Sequence, residues 1–129
     1  MEIRSKWSDG FKEAGLDAVI YPALPLVAAH HGIASKLTAS FSYFFIANLL
    51  NWPCGTIPVT TVRDEEQSYQ EEPKDEFSKL ANYVMEKSAG LPMSVSVMTP
   101  AFRDEQCLRV MKEVERVTRF KTKPKAFRN

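Results

Sequence analysis

The chain has 129 residues, and 44% of them are hydrophobic, which is enough for one domain with a packed core and excludes a disordered tail. Its 17 basic and 16 acidic residues give a formal charge of +1, so no strongly basic balance supports nucleic-acid binding. Cys54 and Cys107 have no short ligand spacing between them, which argues against a disulfide scaffold and suits a reducing, intracellular compartment.

Neither a membrane span nor a secretion signal is predicted. The longest apolar run, around residues 43–47, is broken by Asn48 and Asn51, whereas a spanning helix needs about 20 apolar residues. Residues 1–6 lack the apolar core that a signal peptide requires. We therefore expect that the chain is not secreted.

The chain opens with a predicted helix and strand. Trp7 and Phe11 lie four positions apart and Gly15 follows as a stop, which predicts an amphipathic helix over residues 2–14. The next apolar run, residues 17–21, predicts a buried strand.

An unusually aromatic helix comes next. Prolines and Gly32 indicate a loop, after which Ser35 or Thr38 could cap a helix that runs to residue 50. This helix is unusually aromatic, because it holds three phenylalanines and a tyrosine within residues 41–45.

A second strand and a polar segment follow the aromatic helix. Residues 56–62 predict a strand with Ile57 and Val59 on one face. Residues 63–74 hold five acidic side chains and are too polar to bury, so they predict a surface excursion.

The last third predicts a helix, a strand and a helix. An apolar stripe over residues 77–85 predicts a helix ended by Gly90, and strict alternation over residues 93–97 predicts a strand with one packed face. Its other face should be polar or covered by small side chains. Residues 103–117 predict the final helix. The side chains expected on its buried face are Cys107, Met111, Val114 and Val117 or Thr118.

This alternation of helices and strands predicts an α/β fold with about three strands and flanking helices. Three strands with apolar faces would leave unpaired sheet edges, which complete domains cover. We therefore expect these strands to form part of a larger sheet.

Three motifs resemble the C-terminal portion of the amidase signature hydrolases. They are Tyr21-Pro22, the turn Asn48…Pro53-x-Gly55-x-x-Pro58, and Gly90-Leu91-Pro92, and they fall in the family's order over nearly the whole chain. Residues 57–62 and 106–116 are most similar to the fatty-acid amide hydrolase branch. The resemblance implies that residues 1–129 are a C-terminal fragment of a mixed-sheet amidase signature domain. The lysines and arginines of residues 119–129 separately predict a basic, frayed tail.

In that family, catalysis uses a serine nucleophile, a second serine in a cis peptide, a lysine base and a Gly/Ser-rich loop. All of these lie upstream of the matching region, and this chain has five glycines and no Gly-Gly-Ser-Ser run. The resemblance thus implies no catalytic residue here and an inactive chain when alone. Lys36 and Ser40 lie four apart and imitate a dyad, but an exposed lysine at a helix start stays protonated and cannot act as the base.

Thr38, Phe41 and Phe45 are the candidate substrate-binding residues. Their spacing of three and four places them on one helical face, and the resemblance implies that this face lines the acyl channel of the intact enzyme. The alternative is that the phenylalanines of this helix are ordinary core residues.

No metal or organic cofactor is expected. His30 and His31 lack partners at ligand spacing, and the acidic segment lacks the regular spacing of a calcium loop. The resemblance implies a fatty-acid amide substrate, the missing N-terminal part of the domain as a partner, a membrane surface and a homodimer. The basic tail could contact anionic lipid. The alternative function is a short, non-catalytic binding or assembly module derived from the amidase fold.

Overall fold

A computed structural model describes residues 2–68 and 72–121. The elements, in chain order, are α1 (Glu2–Glu13), β1 (Val19–Pro22), a 3₁₀ helix (Ala34–Phe41), α2 (Ser42–Leu50), β2 (Cys54–Thr61), a short 3₁₀ helix (Asp64–Glu66), α3 (Glu76–Met85), β3 (Pro92–Met98) and α4 (Asp104–Thr118). The predicted order of helices and strands is confirmed. The predicted frayed tail lies outside the described residues from position 122 onward.

The three strands form one sheet in the order β1-β3-β2, and both pairings are antiparallel. Helices flank this sheet, so the predicted α/β fragment is confirmed. The central strand β3 pairs Val97 with Ile20 on one side and with Gly55 on the other. β1 and β2 are the edges, and the prediction that the sheet continues beyond this chain stays a prediction.

The prediction of a buried first strand is wrong. Exposure alternates along β1, and the side chain of Ile20 is 53% exposed. The reason is that α4 packs over β2 and β3 and makes few contacts with β1, so one face of this edge strand remains open. By contrast, Ser96 and Val97 in the middle of β3 are both completely buried. The second face of β3 carries the small polar side chains of Ser94 and Ser96, as expected, but it is packed as well, because Met98 on that face belongs to the cluster around Phe11 and Trp52.

The aromatic helix differs from its prediction in both its winding and its cap. Residues Ala34–Phe41 form a 3₁₀ helix, and only the second half is α-helical. Neither Ser35 nor Thr38 caps it, because the Thr38 hydroxyl donates to the Ser35 carbonyl oxygen at 2.7 Å, inside the helix. The residue that precedes the 3₁₀ helix is Ile33.

Two predicted boundaries in the last third need correction. α3 ends at Met85, and Gly90 instead makes the turn into β3, with φ of 82° and its N–H bonded to the Val62 carbonyl oxygen at 2.8 Å. In α4, Cys107 is buried as predicted, but Val117 and Thr118 are exposed because the helix extends past the sheet that it covers.

The apolar side chains form three clusters rather than one core. One lies between α1, α2 and the sheet around Phe11, Leu50 and Trp52, and a second joins α4 to the sheet around Val97 and Cys107. The remaining cluster lies between α3, the long 3₁₀ helix and the loop before it. Its buried members are Leu26, Val27, Leu37, Val62, Ala81 and Val84. No described helix has both the length and the apolar character that crossing a bilayer requires.

Candidate functional site

The candidate substrate-binding residues lie where the 3₁₀ helix passes into α2. Phe41 is the last 3₁₀ residue, and Ser42 begins the α-helix directly after it. Three residues make one 3₁₀ turn and about 3.6 make one α turn, so Thr38, Phe41 and Phe45 still leave the backbone on roughly the same side.

Their side chains nevertheless have different surroundings. Phe41 is half-buried and lines a pocket of about 220 Å³, here called the Phe41 pocket. Thr38 is exposed, and Phe45 is 54% exposed. Phe41 thus contributes to a pocket wall, and Phe45 presents a half-exposed apolar ring. That these three residues bind substrate stays a prediction.

The walls of the Phe41 pocket are almost wholly apolar. They include side chains from the loop before the 3₁₀ helix and from the helix itself: Leu24, Leu26, Val27, Leu37 and Ser40. The Ser40 hydroxyl is the polar group among these, and it donates to the Leu37 carbonyl oxygen at 2.6 Å. Because the Ser40 hydroxyl already has an acceptor in its own helix, it does not need a polar ligand. The remaining side chains that line the pocket are apolar and favour contact with an apolar group.

Lys36 and Ser40 do not form a catalytic dyad. Ser40 is buried and points its hydroxyl at its own helix, whereas Lys36 is exposed and lines a different groove beside Glu76 and Tyr83. The cause is a kink at Leu37, whose φ of −106° and ψ of 27° are not helical, so Lys36 and Ser40 lie on either side of an interruption in the 3₁₀ helix. This agrees with the expectation that Lys36 is a solvated residue.

Both histidines lie at the surface. The His30 ring is 5.7 Å from the Tyr83 ring, in a tilted contact between the loop and α3. Within residues 2–68 and 72–121, no three histidine, cysteine, aspartate or glutamate side chains come close enough together to hold a metal ion.

A polar row that crosses the sheet was not predicted from the sequence. Register places Tyr21 and Thr56 on either side of the buried Ser96. The Thr56 and Ser96 hydroxyls are 3.2 Å apart, and the Tyr21 hydroxyl is 3.2 Å from the Cys54 sulfur. Partial burial, reinforced by the bond to Cys54, raises the pKa of Tyr21. The phenol therefore stays protonated and can act as a donor, but not as a base, at neutral pH.

The two thiols differ in their surroundings. Cys54 is exposed, whereas Cys107 is buried and its thiol donates to the Val97 carbonyl oxygen at 3.4 Å. Burial raises the pKa of Cys107, which keeps it as an uncharged thiol. Both cysteines are free, as expected.

Comparison with known proteins identifies the family. The family model described as Amidase matches residues 1–108, which is most of the chain, so the chain belongs to the amidase family. It is 36% identical over 103 residues to Fatty acid amide hydrolase 1 of Caenorhabditis elegans, and 37% identical over 106 residues to Fatty-acid amide hydrolase 1 of Sus scrofa. The resemblance read from the sequence motifs is confirmed.

The two alignments cover most of this chain and little of the relatives. They include 78% and 79% of this chain, but only 18% of each relative. The chain therefore spans about a fifth of the length of these proteins. The polar row and the Phe41 pocket are features of that fifth.

Proposed function

We propose that this chain is the C-terminal part of a fatty-acid amide hydrolase-like serine amidase and supplies one wall of its acyl-binding site. The reaction would add water across the amide and break its C–N bond, which yields a fatty acid and an amine. The observation that carries the proposal is the 36–37% identity to two fatty-acid amide hydrolases over most of the chain.

The aromatic helix supports the acyl-binding role. Phe41 lines an apolar pocket, and Phe45, one turn further on, exposes half of a large apolar ring. A surface of this kind is costly to leave in water and gains about 0.8 kcal/mol for each methylene that it buries. An acyl chain along this face would take Phe41 and Phe45 out of water, while Thr38 would lie at its polar end.

The catalytic groups would come from outside this chain. Amide hydrolysis needs an activated nucleophile, a base and an oxyanion site. The one serine and lysine pair that imitates a dyad, Ser40 with Lys36, lies on different faces of its helix. We therefore assign the serine nucleophile, the second serine and the lysine to the N-terminal part of the amidase domain, which would be the partner of this chain. Contact with a membrane surface and a homodimer are also proposed.

The test of the acyl-binding wall is Phe45→Ala in the intact enzyme. Because Phe45 would contact the chain far from the amide, kcat/KM should fall about tenfold for a long-chain amide and little for a short one. Phe102→Ala is the matched control, since Phe102 is 95% exposed in the turn before α4. An equal loss for long and short amides would refute the role of Phe45.

A second experiment tests the location of the catalytic groups. A serine-directed fluorophosphonate should not label the isolated 129-residue chain, because no serine here is expected to be activated by a base. The intact enzyme, labelled in parallel, is the positive control. Stoichiometric labelling of the isolated chain would show that its own serine is the nucleophile and would overturn this assignment.

A further inference from the structure

We draw no further inference here: the strongest candidate, the polar row across the sheet with the exposed Cys54 thiol beside the Tyr21 hydroxyl, rests on a single cysteine whose hydrogen bond lies within the row, and nothing in residues 2–68 and 72–121 shows what ligand or partner would cover it.

Discussion

The region around α4 and the region around α3 differ in how completely they are packed. α4 lies so close to β2 that a methyl group added at Gly55 would overlap the Met111 side chain, and Cys107 is buried beneath it. Around α3, by contrast, Leu26 and Val27 separate two pockets of about 310 and 220 Å³. α4 is therefore closely packed on the sheet, while the α3 region leaves pockets open at the surface of the chain.

The largest expected effect is the loss of stability when a core side chain is truncated, and it compares Met98 in the sheet with Leu26 in the α3 region. Met98→Ala should cost about 2–5 kcal/mol in the free energy of unfolding, because Met98, at the end of the central strand, is almost fully buried. Leu26→Ala should fall near the lower end of the same range, since Leu26 lines two pockets that open to the surface and its removal leaves less enclosed cavity. Urea unfolding of both variants measures the difference. Equal losses would show that the α3 region is packed as tightly as the sheet.

The second prediction tests the close approach of α4 to β2. Gly55→Ala should destabilise the chain by about 1 kcal/mol, the low end of the cost of overpacking, because the atoms in the way are the flexible end of Met111, which can move aside. The loss should shrink in the Met111→Ala background, where that overlap is absent. Gly10→Ala, at a helical position with open space, is the control and should not destabilise. A full additive loss in the double variant would place the strain elsewhere.

An effect of similar size is expected from the polar row that joins the edge strands through β3. Tyr21→Phe removes the hydroxyl that meets Cys54 and should cost about 1 kcal/mol. The raised pKa of Tyr21 also predicts that stability is fully present below the unfolded tyrosine pKa of about 10 and falls as the pH rises above it. Tyr21→Phe should flatten that alkaline decline, whereas Tyr83→Phe on the exposed face of α3 should not. Identical declines would contradict the raised pKa.

The smallest effect concerns the start of α3. The Asp75 carboxylate accepts from the Ser78 backbone N–H at 2.7 Å, which lowers the pKa of Asp75. Its stabilising contribution is therefore present above the unfolded aspartate pKa of about 3.9 and is lost as the pH falls through the lower folded value. Asp75→Asn keeps a good capping residue and should make acid unfolding less steep, with Asp64→Asn as the control. An unchanged acid transition in Asp75→Asn would contradict this assignment.

The sequence predicted the element order and the family, and the structure and the comparisons confirm both. Hydrophobic spacing located Phe11, Ala81 and Cys107 on buried faces, because amphipathic helices carry their packing pattern in the order of residues. The exposure of Ile20 could not be predicted in the same way, since the local sequence pattern of an apolar strand residue does not depend on whether a helix covers that strand. The errors thus concern what covers an element, not which element forms.

The candidate site shows the same division. Its three residues were chosen by spacing and by family resemblance, yet only their winding and neighbours decide that Phe41 is half-buried at the Phe41 pocket while Phe45 is more than half exposed. The kink that separates Lys36 from Ser40 lies at Leu37, which is buried against residues distant in the sequence such as Val84, so spacing alone could not predict it. The polar row depends on strand register, which brings together residues up to 75 positions apart, from Tyr21 to Ser96.

By itself, the sequence determined the local elements, their order and membership of the amidase family, since these follow from residue type and spacing between near neighbours. Only the tertiary structure decided which apolar faces are covered, that Leu26 and Val27 divide two pockets, and that Tyr21, Ser96 and Thr56 form a row. The physical reason is that burial and register come from contacts between distant segments, and those contacts are not encoded in any one stretch of the chain.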